Sequence, residues 1–182
     1  MSPILGIIAS SKLVASGSYE SIATLNGDGS TASVTFSSIP STYKHLQLRA
    51  NLLTNTGGRT VFWRANGDTG ANYVDHTLSG SGTAAGANYT TGSTAAQFFG
   101  AVTGTSATYP NAVIFDLIDY ASTTKYKTAR VFTGVDENGS GEVALFSGLW
   151  MSTSAINSLT IRMSSGFFTS TSTFSLYGIK GA

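Results

Sequence analysis

The chain has 182 residues and a mass of 18.8 kDa, the size of one domain, and its 10 Lys and Arg nearly balance 9 Asp and Glu. A formal net charge of +1 with only 10% charged residues excludes a polyanion binder, because phosphate backbones need clustered Lys and Arg. The absence of Cys excludes thiol catalysis, thiolate metal sites and disulfide staples. Solubility falls to neutral polar groups: 26 Ser, 25 Thr and 21 Gly fill more than a third of the chain. Thr suits half-exposed strands, and Gly and Ser suit turns. The composition therefore predicts an all-β protein with little helix.

Residues 1–16 hold an apolar run, Ile4-Leu5-Gly6-Ile7-Ile8-Ala9, too short to span a bilayer and lacking the preceding basic residues of a secretory signal. Two readings stand: a first strand or buried segment, and an apolar arm that docks on a neighbouring subunit. Residues 17–182 read as a single domain. "GSYESIATL" (17–25) and "TASVTFSSI" (31–39) alternate as strands, and Asn26-Gly27-Asp28-Gly29 between them signals a hairpin turn. After Pro40, residues 45–53 put Leu46, Leu48, Ala50 and Leu52 on one face and His45, Gln47, Arg49 and Asn51 on the other. Residues 60–78 predict strand, turn and strand around Asn66-Gly67. Residues 79–95 show no sustained periodicity and predict a long surface loop.

A further strand is predicted over 96–104, then loop over 106–111. "AVIFDLIDY" (112–120) is apolar on both faces, which predicts a central strand covered on both sides. Strands follow over 126–135, 142–151, 156–163 and 172–181, with the turn "DENGSG" between the first two. About ten short strands without an amphipathic helix predict an antiparallel β-sandwich, jelly-roll-like in winding.

Chemistry-bearing patterns are sparse. His76 follows Asp75, but strand neighbours point to opposite faces and form no preset dyad; His45 is the only other histidine. Asp116 and Asp119 lie three apart, on opposite sides of a strand, whereas Asp68 and Asp75 flank an expected hairpin and could approach as a glycosidase pair, though no spacing rule demands it. Asp136, Asn138 and Glu142 faintly echo a calcium loop without its full twelve-residue spacing; residues 66–72 do the same, and both read first as Gly-rich turns. Asn88 and Asn138 open glycosylation sequons, which carry no meaning without a secretion signal. Trp63, Trp150, Tyr43, Tyr73, Tyr89 and Tyr109 could build a sugar-stacking platform, or the two Trp could be core. No catalytic, cofactor or metal residue is assigned, and no enzyme activity is expected.

"SPILGIIASSKL", "GSYESIATL", "FSSIPSTYKHLQLRAN", "NGDTGANY" and "TFSLYGIKG" together resemble short virion structural proteins of tailed bacteriophages. The likeness covers both ends and much of the first half and fades over residues 79–111. It implies a β-sandwich on the virion, made in the host cytoplasm. The implied role is a capsid decoration or cement protein, a homotrimer in contact with the major capsid protein or another virion protein. The alternatives are a tail or head fibre component binding host glycan and, last, a glycan-processing enzyme. Nucleic acid, membrane and cofactor are not expected partners.

Overall fold

The computed structural model describes residues 17–57, 59–102 and 109–181. The apolar run at 4–9, and with it the expected arm, lies outside the described residues. Twelve antiparallel strands and no helix make up the described chain, so the all-β sandwich expected from composition stands. No described helix is long and apolar enough to cross a membrane.

The strands are β1 (Tyr19–Asn26), β2 (Ser33–Phe36), β3 (His45–Leu52), β4 (Arg59–Ala65), β5 (Tyr73–Gly80) and β6 (Ala85–Ser93), followed by β7 (Ala96–Val102), β8 (Asn111–Ile118), β9 (Lys127–Asp136), β10 (Gly141–Trp150), β11 (Leu159–Met163) and β12 (Thr173–Ile179). Eight of them form one sheet in the order β1-β12-β3-β8-β9-β10-β5-β6, and four form the other, β2-β11-β4-β7. With β5, β6, β9 and β10 set aside, the other eight strands renumber as 1-8-3-6 opposite 2-7-4-5. The two pairs set aside are the β5–β6 and β9–β10 hairpins, which widen the large sheet on one side only.

Side-chain alternation explains the core. β3 sends Leu46, Leu48, Ala50 and Leu52 inward, and β8 sends Val113, Phe115 and Leu117. From the small sheet, Trp63 meets Phe115 edge-on at 5.6 Å, and Phe98 packs on Phe115 at 5.4 Å. Each such ring pair adds roughly 0.5–1.5 kcal/mol beyond its buried area. Tyr73 joins them edge-on to Trp63 at 5.6 Å and stacks beside Trp150 at 6.5 Å.

Three expectations change. The Asn26–Gly29 turn does not close a hairpin: β1 pairs with β12 and β2 with β11, so the turn carries the chain from one sheet to the other. Gly27 serves close approach, and Gly29, at φ 75°, supplies the left-handed backbone. A Cβ on Gly27 would lie 2.2 Å from the Thr169 carbonyl oxygen, while the Gly27 and Gly29 amides donate to the Ser172 and Phe168 carbonyls. Asp28 Oδ1 accepts the Ser30 and Thr31 amides at 2.8 and 2.7 Å, which holds its carboxyl down at about 2.

The turn at Asn66-Gly67, both in the left-handed region, is likewise a corner between sheets. It is pinned by the Tyr73 hydroxyl, which accepts the Ala65 amide at 3.1 Å.

Second, residues 79–95 are no loop. β6 occupies most of them, pairs with β5 and forms the edge of the large sheet. Both of its faces are almost wholly exposed, so nothing selects an apolar alternation there. β6 is the one strand of the twelve without a counterpart among the strands expected along the chain. Third, β8 is buried on one face only: Ile114 on the other is 42% exposed. Lesser shifts of up to three residues occur at strand ends: β2 ends at Phe36 rather than 39, and β11 begins at Leu159 rather than 156.

Candidate functional site: the outer face of the large sheet

Register places the outward residues of the large sheet in rows that run across the strands. One row reads Gln47, Asp116, Arg130, Ser147, His76 and Tyr89 from β3 to β6. The next, two residues along each strand, reads Arg49, Ile114, Phe132, Leu145, Leu78 and Ala87. A third begins at Asn51 and passes through Gly134 and Val143. Side chains directly opposite on paired strands touch, so each row is a physical ridge.

The second row is apolar over four consecutive strands. Ile114, Phe132, Leu145 and Leu78, with Val143 beside them, are each 42–57% exposed. The four residues of the row line a shallow basin of about 620 Å³ that also takes in Asp116, Arg130 and His76. Scattered exposed apolar residues are ordinary, but a contiguous patch of this kind marks an interaction surface. No described strand or loop covers it.

The surroundings are polar and ordered. Gln47 donates to Asp116 Oδ1 at 2.8 Å and accepts from Arg49 Nε at 2.9 Å. The Arg49 guanidinium sits 5.6 Å from the Tyr177 ring centre and 5.9 Å from that of Tyr19, a cation–π arrangement worth roughly 0.5–1 kcal/mol per contact at an exposed site. At the other end, the His76 ring stacks on Tyr89 at 5.8 Å and 24°. The polar face of β3 is thus one end of a ridge that reaches β6.

The other sequence candidates scatter. Trp63, Trp150 and Tyr73 are buried, which dissolves the six-membered aromatic platform. The Tyr43 ring packs over Gly178 and its hydroxyl donates to Glu20 at 3.1 Å, leaving Tyr89 and Tyr109 as the exposed members. Asp75 points into the core beneath the sheet, accepting the Gln97 amide at 3.3 Å, and burial pushes its carboxyl up; His76 points outward, as strand alternation demands.

Asp68 accepts from Trp150 Nε1 at 2.7 Å, from Asn72 at 2.9 Å and from the Gly70 amide at 2.8 Å. These bonds, that of Trp150 first, hold its carboxyl below the usual range. Asp68 and Asp75 therefore engage different structural partners. Asp119, past the end of β8, is bridged by Lys125 at 2.9 Å and Lys44 at 3.0 Å, which keep its carboxyl at about 2. His45 Nδ1 accepts the Asp119 amide at 3.0 Å.

Asp136 Oδ1 accepts the Asn138 amide at 3.0 Å, and Asn138 and Gly139 both have positive φ. This Gly-rich segment is the β9–β10 hairpin turn. Among the described residues no three His, Cys, Asp or Glu gather in a way that could hold a metal ion.

Sequence reasoning missed the apolar row because Ile114, Phe132, Leu145 and Leu78 look like core residues in a linear chain. The available signal was β8 itself, apolar on both faces although only one faces the second sheet. No family model, curated protein or solved structure matches the chain.

Proposed function

We propose that the chain is a bacteriophage virion structural protein, a capsid decoration or cement protein that acts by surface contact as a closed oligomer and carries no reactive centre. The observation that carries this reading is the ordered apolar row on the outer face of the large sheet, an exposed patch with a polar rim, which is the anatomy of a protein contact. The virion assignment comes from the resemblance of the terminal and first-half segments. We also read the winding 1-8-3-6 opposite 2-7-4-5 as a jelly roll widened by two hairpins, an architecture that recurs in viral shells. Repetition over a symmetric particle lets modest contacts hold firmly.

Quantitative mass spectrometry of purified particles tests the reading. A decoration protein is expected at on the order of hundreds of copies per particle, as shell symmetry dictates; absence from particles overturns the virion role. The exposed His76–Tyr89 stack favours one second reading, a fibre component that grips host glycan between ring and polar row. Copy numbers of tens or fewer at most, as a fibre's symmetry dictates, together with glycan-array binding lost in Tyr89→Ala, would select it.

A further inference from the structure

We propose that the outer face of the large sheet docks against the same face of a second copy, about a two-fold axis running along the strands between β9 and β10. This deepens the contact-surface reading above and rests on it.

The rows themselves point to the axis. Rotation about a line between β9 and β10 exchanges β9 with β10 and β8 with β5, so each row is laid on itself in reverse. In the apolar row, Phe132 then falls on Leu145 of the second copy and Ile114 on its Leu78. In the polar row, Asp116 falls on His76 and Arg130 on Ser147. Apolar meets apolar, and the one acid meets an imidazole rather than another acid. An axis between β8 and β9 would drive Arg49 onto Leu145, and one between β10 and β5 would set Phe132 on the small Ala87 and leave Ile114 beyond the partner's edge.

Area supports the same occupant. Five side chains, each about half exposed, present on the order of 500 Å² of apolar surface, a large part of the ~800 Å² that one partner buries in a stable interface. Face-to-face sheets pack about 10 Å apart with strands nearly aligned, which suits an axis parallel to the strands. An isologous contact of this kind closes at two copies. Any ring that the chain forms on a particle must then use other surfaces.

The test is sedimentation of the full chain over a concentration series, beside Phe132→Asp. Phe132 lies outside the core, so the variant should keep the wild-type circular dichroism spectrum. Wild type is expected at an even multiple of 18.8 kDa and the variant at half that mass, with pairing weakened about a hundredfold or more, as for a central contact residue. The chain has no Cys, so a mixture of Phe132→Cys and Leu145→Cys chains treated with a short bis-maleimide, which spans the gap between facing sheets where a disulfide cannot, reports the axis directly. Cross-linking in the mixture should exceed that of either variant alone.

A monomeric wild type, or an assembly whose mass Phe132→Asp leaves unchanged, overturns the proposal. If that monomer loses particle attachment on Phe132→Asp, the face belongs to a particle protein, and the contact-surface reading survives without the self-pairing. If wild type pairs only after residues 1–16 are removed, that segment is the occupant and the proposal falls. A dimer that is absent from particles sinks the virion role while leaving the two-fold contact standing.

Discussion

At the scale of single residues, the two Trp make a controlled contrast. Both indoles are buried, but Trp150 Nε1 donates to Asp68 while Trp63 Nε1 has no acceptor among the described residues. Truncation to Phe removes the same ring volume from each, so the difference isolates a hydrogen bond to a charged group. Trp150→Phe should cost about 1.5–3 kcal/mol more than Trp63→Phe in urea unfolding at neutral pH. Asp68 has its folded-state carboxyl lowered, first by this bond. Its stabilisation is therefore complete above the unfolded carboxyl value and is lost as pH falls through the lower folded one. The excess cost of Trp150→Phe should shrink over that fall.

Asp75 works in the opposite sense. Burial raises its carboxyl, and Oδ1 has no partner among the described residues. The ionised form is disfavoured on folding, so stability contributed by the neutral form is present in acid and lost as pH rises from the unfolded value through the folded one. Asp75→Asn should raise the melting temperature at pH 7 and leave it nearly unchanged below the unfolded carboxyl range. Calorimetry at the two pH values decides it.

At the scale of elements, the loop before β3 is locked to β12 by one missing side chain. A Cβ on Gly178 would lie 2.3 Å from the Tyr43 ring. Gly178→Ala should cost about 1–3 kcal/mol, the range of overpacking, and Tyr43→Ala in the same chain should recover part of it; denaturant midpoints of the three variants give the answer.

Elements also show what was legible beforehand. β3 was read with its inward residues correct, because a half-buried strand must alternate and Leu46, Leu48, Ala50 and Leu52 do so. β6 was invisible because neither face is buried, so Ala85–Ser93 was free to become "AGANYTTGS". The turns at Asn26–Gly29 and Asn66-Gly67 join the strands expected of them, but those strands divide between the two sheets instead of pairing as hairpins. Local turn chemistry is the same whether the next strand pairs beside the last or crosses to another sheet. The candidate surface was least legible of all, since it exists only through register between β8, β9, β10 and β5.

At the scale of the whole molecule, the large sheet is closed by the last strand. β12 sits between β1 and β3, pairing Tyr19 with Ile179 and Leu48 with Leu176. It buries Phe174 and Leu176 in the core. A chain ending at residue 170 should therefore lose β1 as well as β12 and fail to fold cooperatively, read as loss of the sigmoidal urea transition. Pairings this distant in sequence also predict folding on the millisecond-to-second scale typical of non-local sheets.

The same pairing fixes where the molecule can be held. The Lys180 amide donates to the Ser18 carbonyl at 3.0 Å, so a passenger polypeptide grafted directly after Lys180 leaves beside the point where β1 begins. That edge is seven strand spacings, about 34 Å, from β6. A cargo grafted there hangs from the handle of the blade and leaves its far rim unobstructed.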